Sequence, residues 1–285
     1  MKKIDRAITL INTNVRRLRC PHCGGAFTPV VGRSLLCVNA HAFDIAKTGY
    51  VNLFTGRQQD FYDAVLFDAR QACIAGGLFD GLLRKIAEII RDAGSADGFI
   101  LDAGTGEGTL LARLMPMCGG TACCAGIDIS RDGIHIASRD YPDILFCIAD
   151  IAHLPFADGT ADCILNILSP GHYGEFTRVL APGGAVIKVA AADNHLQEFR
   201  QLIYSGSDAE YYSNAAVKDL FASRMNLMSV SHVEHTVLLA PDMLSHVVLM
   251  TPLLQQVPAE KKALLSAETR PVTLSFDILV GKRPV

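Results

Sequence analysis

The sequence lacks the features that would assign it to several large classes of protein. No apolar run approaches the roughly 20 residues that a helix needs to cross a bilayer. The basic start Met-Lys-Lys-Ile-Asp-Arg is not followed by the apolar core of a signal peptide. Positive charge is not in excess, since 26 lysines and arginines stand beside 29 acidic residues, and this argues against a broad basic surface for nucleic acid. We therefore expect a cytoplasmic globular protein.

The composition is typical of a soluble enzyme. Half of the 285 residues are apolar and 19% are charged, and the length allows one α/β catalytic domain plus a small appendage. In a reducing compartment, the nine cysteines are free thiols or metal ligands. Because a free cysteine behaves as a small apolar residue, we expect six of them to fill the core: Cys73, Cys118, Cys123, Cys124, Cys147 and Cys163.

Three regions follow one another along the chain. Residues up to about 57 are loop-rich, residues from about 60 to 95 have helical spacing, and residues from 98 onward alternate between strands and helices. This alternation predicts an α/β fold with a mostly parallel sheet covered by helices. The seven predicted strands are Phe99–Leu101, Ala122–Ile127, Ile144–Ile148, Cys163–Leu168, Ala185–Ala190, Ser229–Leu239 and Val272–Val280.

The first region contains a zinc-binding pattern. Cys20, Cys23, Cys37 and His41 have the spacing C-x2-C-x13-C-x3-H, which supplies two ligand pairs across a hairpin. We predict two strands and a turn within residues 27–36. Four protein ligands leave no open position, so we expect the zinc to be structural. The alternative is that the four residues are unrelated and lie in a small loop. However, a region with so few core residues needs a cross-link, such as a bound metal, in order to fold.

A glycine loop follows the first predicted strand of the α/β region. In Leu101-Asp-Ala-Gly-Thr-Gly-Glu-Gly108, Asp102 precedes Gly104 and Gly106, and the glycines allow the backbone to turn and to approach a ligand closely. Asp128 and Ile129 end the second strand, where a carboxylate can accept hydrogen bonds from ribose hydroxyls. Asp150 and Ile151 end the third, with an acid and an apolar neighbour suited to adenine.

This succession resembles the class I methyltransferase fold, a Rossmann-like sheet that holds S-adenosylmethionine across the carboxyl ends of its strands. The resemblance gives seven predicted cofactor contacts in these segments: Asp102, Gly104, Gly106, Asp128, Ile129, Asp150 and Ile151. Leu154-Pro-Phe156 and Leu180-Ala-Pro-Gly-Gly184 extend the resemblance. A nicotinamide oxidoreductase would explain only Gly104, Gly106 and Asp128. We predict a zinc-binding ribbon domain over residues 1–57 and an S-adenosylmethionine-dependent methyltransferase domain over residues 58–285.

Nearly the full length of the chain resembles the RlmA-type 23S ribosomal RNA guanine-N1 methyltransferases. The most specific match is Phe43-Asp-x-Ala-Lys-x-Gly-Tyr-Val-Asn-Leu53, and Met250-Thr-Pro252 also matches. The resemblance implies structural zinc at the four predicted ligands and a guanine in a hairpin loop of 23S rRNA as substrate. It also implies cofactor contacts at four further residues: Phe79, Leu110, Leu111 and His195.

The chain departs from the family pattern at three places. Phe79 stands where the family has tyrosine, residues 55–63 are shorter and more acidic than their counterparts, and Leu253, Leu254 and Gln255 replace aromatic residues in a chain that has no tryptophan. The fold and the cofactor are compatible with these changes. They leave the target nucleotide open.

The loop after the fourth predicted strand is where an acceptor should lie in this fold. Guanine N1 carries a proton that must leave, so a general base would help, and the base must leave its stack. We predict that His172 or Glu175 accepts the proton and that Tyr173 stacks on the base. The alternative is that this loop is an ordinary turn between a strand and a helix.

Positive charge is concentrated near the start of the chain, and we expect this cluster to grip the RNA backbone: Arg16, Arg17, Arg19, Arg33 and Lys47. A homodimer is a further expectation. Rival functions are a small-molecule methyltransferase that retains a structural ribbon, a non-catalytic RNA-binding protein and a nicotinamide oxidoreductase. The acidified segment after Leu53 favours the first of these rivals.

Overall fold

A central eight-stranded sheet organises the chain in the computed structural model, which describes residues 2–57, 64–255 and 257–284. Strands β1 (Ser34–Leu36) and β2 (Ala42–Asp44) form a separate two-stranded sheet. The strands of the large sheet follow the spatial order β3-β6-β5-β4-β7-β8-β10-β9, and all neighbours are parallel except at β10, which is antiparallel to both β8 and β9. Their bounds are Val51–Asn52 for β3, Phe99–Ala103 for β4, Cys123–Asp128 for β5, Leu145–Ile148 for β6, Ala161–Ile167 for β7, Leu180–Ala191 for β8, Asn226–Leu239 for β9 and Arg270–Lys282 for β10.

All seven predicted strands are confirmed, and the sheet gains an eighth. Strand β3 comes from the stretch that we expected to belong only to the ribbon, and it pairs in parallel with β6. A strand of two residues is too short to give a periodic pattern, so β3 could not be predicted from the sequence. The order of the strands reverses between β4 and β7, and this switch point is where doubly wound sheets bind ligands at the carboxyl ends of their strands.

Ten α-helices cover the sheet and its edges in the described residues. They are Lys3–Asn14 for α1, Ala64–Ala75 for α2, Asp80–Asp92 for α3, Thr109–Cys118 for α4, Arg131–Asp140 for α5, Tyr173–Val179 for α6, Gln197–Tyr204 for α7, Ala215–Arg224 for α8, Pro241–Met250 for α9 and Ala259–Leu265 for α10. None of these described helices has the length and apolar character that a bilayer crossing requires.

Two helices differ from expectation. The predicted helical region from 60 to 95 is divided between α2 and α3, because the chain turns at Gly76 and Gly77, where Gly77 has a φ of +83°. Helix α1 lies in the region that we expected to be loop-rich. It forms because Ile4, Ala7 and Ile11 recur at helical spacing and are buried on one face.

The N-terminal region packs directly against one face of the sheet. Ile11 of α1 and Leu35 of the ribbon share an apolar cluster with Leu101 of β4 and Ile127 of β5. Polar contacts extend this packing, since Arg6 pairs with Asp143 at 3.0 Å. Of the six cysteines predicted to fill the core, only Cys123 is half-buried and the others are buried.

Candidate functional site

Four side chains of the N-terminal region converge on one point. The ligand atoms of Cys20, Cys23, Cys37 and His41 all lie within 4.8 Å of one another. The Sγ atoms of Cys23 and Cys37 are 3.8 Å apart, and His41 Nδ1 lies 3.6 Å from Cys20 Sγ and 3.4 Å from Cys37 Sγ. Two sulfurs that each lie 2.3 Å from a tetrahedral zinc are about 3.8 Å apart. The donor set therefore fits zinc.

Local hydrogen bonds form this cluster. The backbone turns tightly after Cys20, where Gly24 N–H donates to Cys20 O at 2.8 Å and Gly24 has a φ of +70°. Strands β1, Ser34–Leu36, and β2, Ala42–Asp44, pair in antiparallel fashion and bring Cys37 and His41 together at the connecting loop. Of the two strands predicted within residues 27–36, the second corresponds to β1, and the first is present only as isolated bridges. The predicted turn near residue 32 is confirmed.

A cavity of about 770 Å³ opens at the carboxyl ends of the parallel strands. It extends from the ends of β5 and β6, past the glycine loop after β4, to the segments that follow β7 and β8. Eight of the eleven predicted cofactor residues line it: Phe79, Gly104, Gly106, Asp128, Ile129, Asp150, Ile151 and His195.

The glycine loop lies in a conformation that only glycine adopts easily. Gly104 has a φ of +92° and Gly106 a φ of +59°. A Cβ atom on Gly104 would overlap Ser169 Oγ, and one on Gly106 would lie 2.8 Å from Arg70 Nη1. The absence of side chains therefore keeps the floor of the cavity open, as a ligand that approaches the backbone requires.

Asp128 is held rigidly at the end of β5. Gly106 N–H donates to one carboxylate oxygen and Ser130 N–H to the other, both at 2.8 Å. Burial raises the pKa of this carboxyl, while the two backbone N–H groups oppose that shift. Each oxygen retains capacity to accept a further hydrogen bond. The pair of oxygens fits the two hydroxyls of a ribose.

Acidic groups also surround the glycine loop. Asp102 is buried, and burial raises its pKa to about 6. Glu107 is fully buried, and Arg70 Nε from α2 lies 3.5 Å from its carboxylate. Asp102 lies beneath the loop rather than on the cavity wall. Asp150, at the far end of the cavity, accepts a hydrogen bond from Ala152 N–H at 2.8 Å.

His195 lies on the opposite side of the cavity, after β8. Its Nδ1 accepts a hydrogen bond from Ser275 N–H at 3.2 Å, so the neutral ring carries its proton on Nε2. Burial, together with the nearby Arg200, lowers the pKa of His195 to about 4. The ring centroids of His195 and Phe79 lie 4.8 Å and 5.8 Å from that of Phe276. The imidazole is therefore a neutral hydrogen-bond donor.

Two of the predicted cofactor residues are placed differently. The side chains of Leu110 and Leu111 are buried in the apolar core beneath α4 and do not line the cavity. Their backbone N–H groups lie in the first turn of α4, at the N-terminal end of the helix. This end of a helix favours negative charge.

The three predicted catalytic residues do not line the cavity either. Tyr173 is buried edge-on against Phe176 and Phe221, with ring centroids 5.8 Å and 5.5 Å away. His172 Nδ1 accepts from Glu175 N–H at the start of α6, and Glu175 pairs with Arg178 at 2.6 Å. These contacts are structural, which agrees with the alternative of an ordinary strand-to-helix turn. The catalytic roles of the three stay predictions.

Three residues that shape this end of the cavity were not predicted from the sequence: Lys188, Arg200 and Tyr212. Lys188 is buried in β8, where its ammonium donates to Asn166 Oδ1 at 2.7 Å and to the carbonyl of Ser169, in the loop that lines the cavity. Arg200 and Tyr212 line the cavity further along. A lysine inside an otherwise apolar strand was a signal available from the sequence. The position of Arg200 depends on tertiary folding.

Comparisons with known proteins match both regions. Residues 100–184 match a model of a methyltransferase domain, and residues 18–58 match the N-terminal zinc ribbon of RlmA. A Bacillus subtilis (strain 168) protein named "Putative 23S rRNA (guanine-N(1)-)-methyltransferase YxjB" is 36% identical over 93% of this chain and 96% of its own length. The 23S rRNA (guanine(748)-N(1))-methyltransferase of Streptomyces fradiae is 35% identical over 65% of this chain and 66% of its own length.

Solved structures are more distant. That of geranyl diphosphate C-methyltransferase from Streptomyces coelicolor A3(2), in complex with S-adenosyl-L-homocysteine, is 17% identical with a TM-score of 0.42. The match covers 70% of this chain and 75% of that one.

Proposed function

The chain belongs to the family of 23S rRNA guanine-N1-methyltransferases with an RlmA-type zinc ribbon, and we propose that it methylates N1 of a guanine in a hairpin loop of 23S rRNA. It is an S-adenosylmethionine-dependent methyltransferase. The observation that carries the proposal is the extent of the similarity, because 93% of the chain aligns with one relative and the alignment spans both the ribbon and the catalytic region.

Residues on one side of the cavity would hold the cofactor. S-adenosylmethionine supplies a methyl group activated on a sulfonium sulfur. The carboxylate of Asp128 would accept hydrogen bonds from the ribose, and Asp150 with Ile151 would contact the adenine. Gly104 and Gly106 leave room for the amino-acid portion. These assignments are supported by the fixed carboxylate of Asp128 and by the open floor of the glycine loop.

The acceptor would enter on the other side, between the loop after β7 and the segments that follow β8. Leu168 and Pro170 line this side, and so does Leu253, at a position where the family has an aromatic residue. A guanine must leave its stack to reach the cavity, which is easier in a hairpin loop than in a duplex. For the precise nucleotide, we propose the position named for the Streptomyces fradiae relative, guanine 748.

Part of the basic cluster is available to hold RNA phosphates. Arg16, Arg33 and Lys47 are exposed. Arg17 instead lies over the ring of Phe99 at 5.1 Å, and Arg19 pairs with Asp158 at 3.2 Å. We therefore propose that three of the five predicted residues grip the backbone.

The wider organisation also remains a proposal. We propose a ribbon domain over residues 1–57 and a methyltransferase domain over residues 58–285, acting as a homodimer in the cytoplasm, where ribosomal RNA is made. Residues 58–63, which form part of the segment that departs from the family pattern, lie outside the described residues.

Mass spectrometry of ribosomal RNA from cells with and without the gene tests the proposal. We expect one N1-methylguanosine in 23S rRNA to disappear on deletion and to return with the wild-type gene but not with an Asp128→Ala copy. In vitro, the purified enzyme should transfer one methyl group to a transcript of the hairpin. An unchanged N1-methylguanosine content would contradict the proposal and favour a small-molecule acceptor.

A further inference from the structure

Two arginines line the cavity, and they have different surroundings. Arg70 lies beside the glycine loop, where it pairs with Glu107. Arg200 of α7 is only 9% exposed, yet no carboxylate lies within ion-pair distance of it in residues 2–57, 64–255 and 257–284. Burial of a cation without a counter-charge is costly. Arg200 therefore has the properties of a group that receives its partner from a ligand.

The surroundings of Arg200 fix its orientation without neutralising it. Its Nε donates to the backbone carbonyl of His195 at 3.4 Å, and its guanidinium carbon lies 4.6 Å from the centroid of the Tyr212 ring. This is the one hydrogen bond that the side chain of Arg200 makes within the described part of the chain. An aromatic face orients a guanidinium plane and leaves its edge free. The terminal amino groups of Arg200 are thus available to a molecule in the cavity.

We propose that Arg200 binds O6 and N7 of the acceptor guanine and thereby both selects guanine and stabilises the loss of its N1 proton. The inference rests on the function proposed above. The guanidinium fork matches these two acceptors, which is the commonest specific contact between arginine and guanine. With its O6 and N7 edge held in this way, guanine presents N1 on its other edge. Adenine carries an amino group in place of O6 and would meet the guanidinium donor to donor.

The charge of Arg200 suits the chemistry at N1. When N1 loses its proton, negative charge is shared with O6, and a fixed cation at O6 stabilises that anion. The N1 lone pair then forms the bond to the methyl carbon as the bond from that carbon to sulfur breaks. The proton leaves to solvent or to a base. Arg200 would be a catalytic residue that contacts the substrate, stays protonated and transfers no proton itself.

The carboxylate of the cofactor is the competing partner for Arg200. Its amino-acid portion is expected above the glycine loop, where Arg70 already provides a cation, with Nη1 2.8 Å from the position of a Cβ atom on Gly106. Arg200 and Tyr212 follow β8 in the chain and line the cavity, as does the loop after β7, and these segments form the side proposed above for the acceptor. The geometry therefore favours the nucleotide.

The test compares wild type with Arg200→Gln and Arg200→Lys, using the hairpin whose methylated guanine has been identified with the wild-type enzyme. A second hairpin carries 7-deazaguanine at that position and so lacks N7. We expect Arg200→Gln to lower kcat/KM on the normal hairpin by about 5- to 150-fold, the range for a bidentate arginine–guanine contact. The 7-deaza hairpin should slow wild type several-fold but leave Arg200→Gln unaffected, because the variant lacks the guanidinium fork that is proposed to bind N7.

Three further measurements separate this role from a structural one. The deficit of Arg200→Gln should shrink as pH rises, since alkali removes the N1 proton without help. Arg200→Lys should recover part of kcat but not the sensitivity to N7. Arg200→Gln should bind S-adenosylmethionine with the same Kd as wild type. The control variant Arg224→Gln, which changes an exposed arginine of α8, should also have this Kd.

Two results would overturn the inference. One is a weakened Kd for S-adenosylmethionine in Arg200→Gln, which would assign Arg200 to the cofactor. The other is an equal penalty of 7-deazaguanine in wild type and variant. A wild-type enzyme that does not methylate guanine at all would refute the proposed function instead, so the two failures are distinguishable.

Discussion

Lys188 offers a stability prediction whose sign and size follow from the structure. Its ammonium is buried in β8, and burial lowers its pKa from 10.5 to about 8. In the unfolded chain, the pKa returns to its ordinary value, so between these pH values the unfolded state binds the proton and the folded state does not. Stability therefore rises with pH across this window. Each unit of difference between the two pKa values corresponds to 1.36 kcal/mol, so the free energy of unfolding rises by about 3.4 kcal/mol over the whole window.

The perturbation is Lys188→Met, which keeps the length of the side chain and removes the titrating group. We would measure the free energy of unfolding by urea titration for both proteins from pH 7 to pH 9.5. Wild type should gain about 2 kcal/mol over the variant across that range, since the remaining part of the window lies at higher pH. Other groups that titrate there are common to both proteins and cancel in the difference.

A difference between the two proteins that stays constant with pH would refute this reasoning, because it would mean that Lys188 remains protonated in the folded state. The variant should also lose methyl-transfer activity. Lys188 holds the carbonyl of Ser169 and the side chain of Asn166, and Asn166 Nδ2 in turn donates to Pro170 O at 2.9 Å. Without these bonds, the loop that lines the acceptor side of the cavity loses its support.

Three further outcomes are expected. Cys20→Ser should lose stoichiometric zinc by atomic emission and make the first 57 residues sensitive to protease, because metal binding in such modules is largely folding energy. Asp128→Ala should weaken S-adenosylmethionine binding, measured by calorimetry, by about 1.5–3 kcal/mol, the range for hydrogen bonds to a charged group. Replacement of Arg16, Arg33 and Lys47 by glutamine should reduce the salt dependence of RNA binding by about 0.7–0.9 in logarithmic slope for each phosphate that the variant no longer neutralises.

Matched controls separate these effects from a general loss of folding. Cys123→Ser changes a half-buried cysteine away from the cluster and should retain zinc. Asp132→Ala changes an exposed acid in α5, next to the strand that ends in Asp128, and should bind the cofactor normally. Arg224→Gln should leave the salt slope unchanged. Wild type without zinc, an unaltered cofactor Kd in Asp128→Ala, or an unaltered slope in the triple variant would each contradict the corresponding prediction.

The parts of the molecule that sequence predicted correctly are those specified by local spacing. The four zinc ligands are set by two short turns, and Asp128 and Asp150 are set by their position at the ends of apolar strands. Helix α1 could have been found by the same means, since Ile4, Ala7 and Ile11 have helical spacing. We did not predict this helix, because its apolar residues lie among polar ones and the cysteine pattern nearby indicated a loop-rich region.

The parts that sequence could not predict depend on contacts between distant segments. Lys188 meets Ser169 across neighbouring strands, and Arg200 meets Tyr212 through the segment that follows α7. The prediction that Tyr173 stacks on a base had only the position of the loop to support it. In the fold, the first turn of α6 directs that ring into the core, because Phe176 and Phe221 provide an apolar site there.

One ion-pair network explains why residues predicted to bind RNA and to transfer protons have structural contacts instead. Arg19 of the ribbon region pairs with Asp158 at 3.2 Å, and Arg178 binds the same carboxylate oxygen at 2.7 Å. Arg178 also binds Glu175 at 2.6 Å, and Glu175 accepts a hydrogen bond from Leu154 N–H at 2.7 Å. The network links the ribbon region to α6.

This network also lowers the proton affinity of Glu175. Burial alone would raise the pKa of Glu175, but its hydrogen bonds with Arg178 and the charge of that arginine lower it below the ordinary value. A carboxylate with a lowered pKa is a weak proton acceptor. Because Arg178 is half-buried and donates to both carboxylate oxygens of Glu175, this pair is worth more than an exposed ion pair. Arg19 and Glu175, which were predicted to bind RNA and to accept a proton, thus belong to a network of ion pairs that joins the ribbon region to α6.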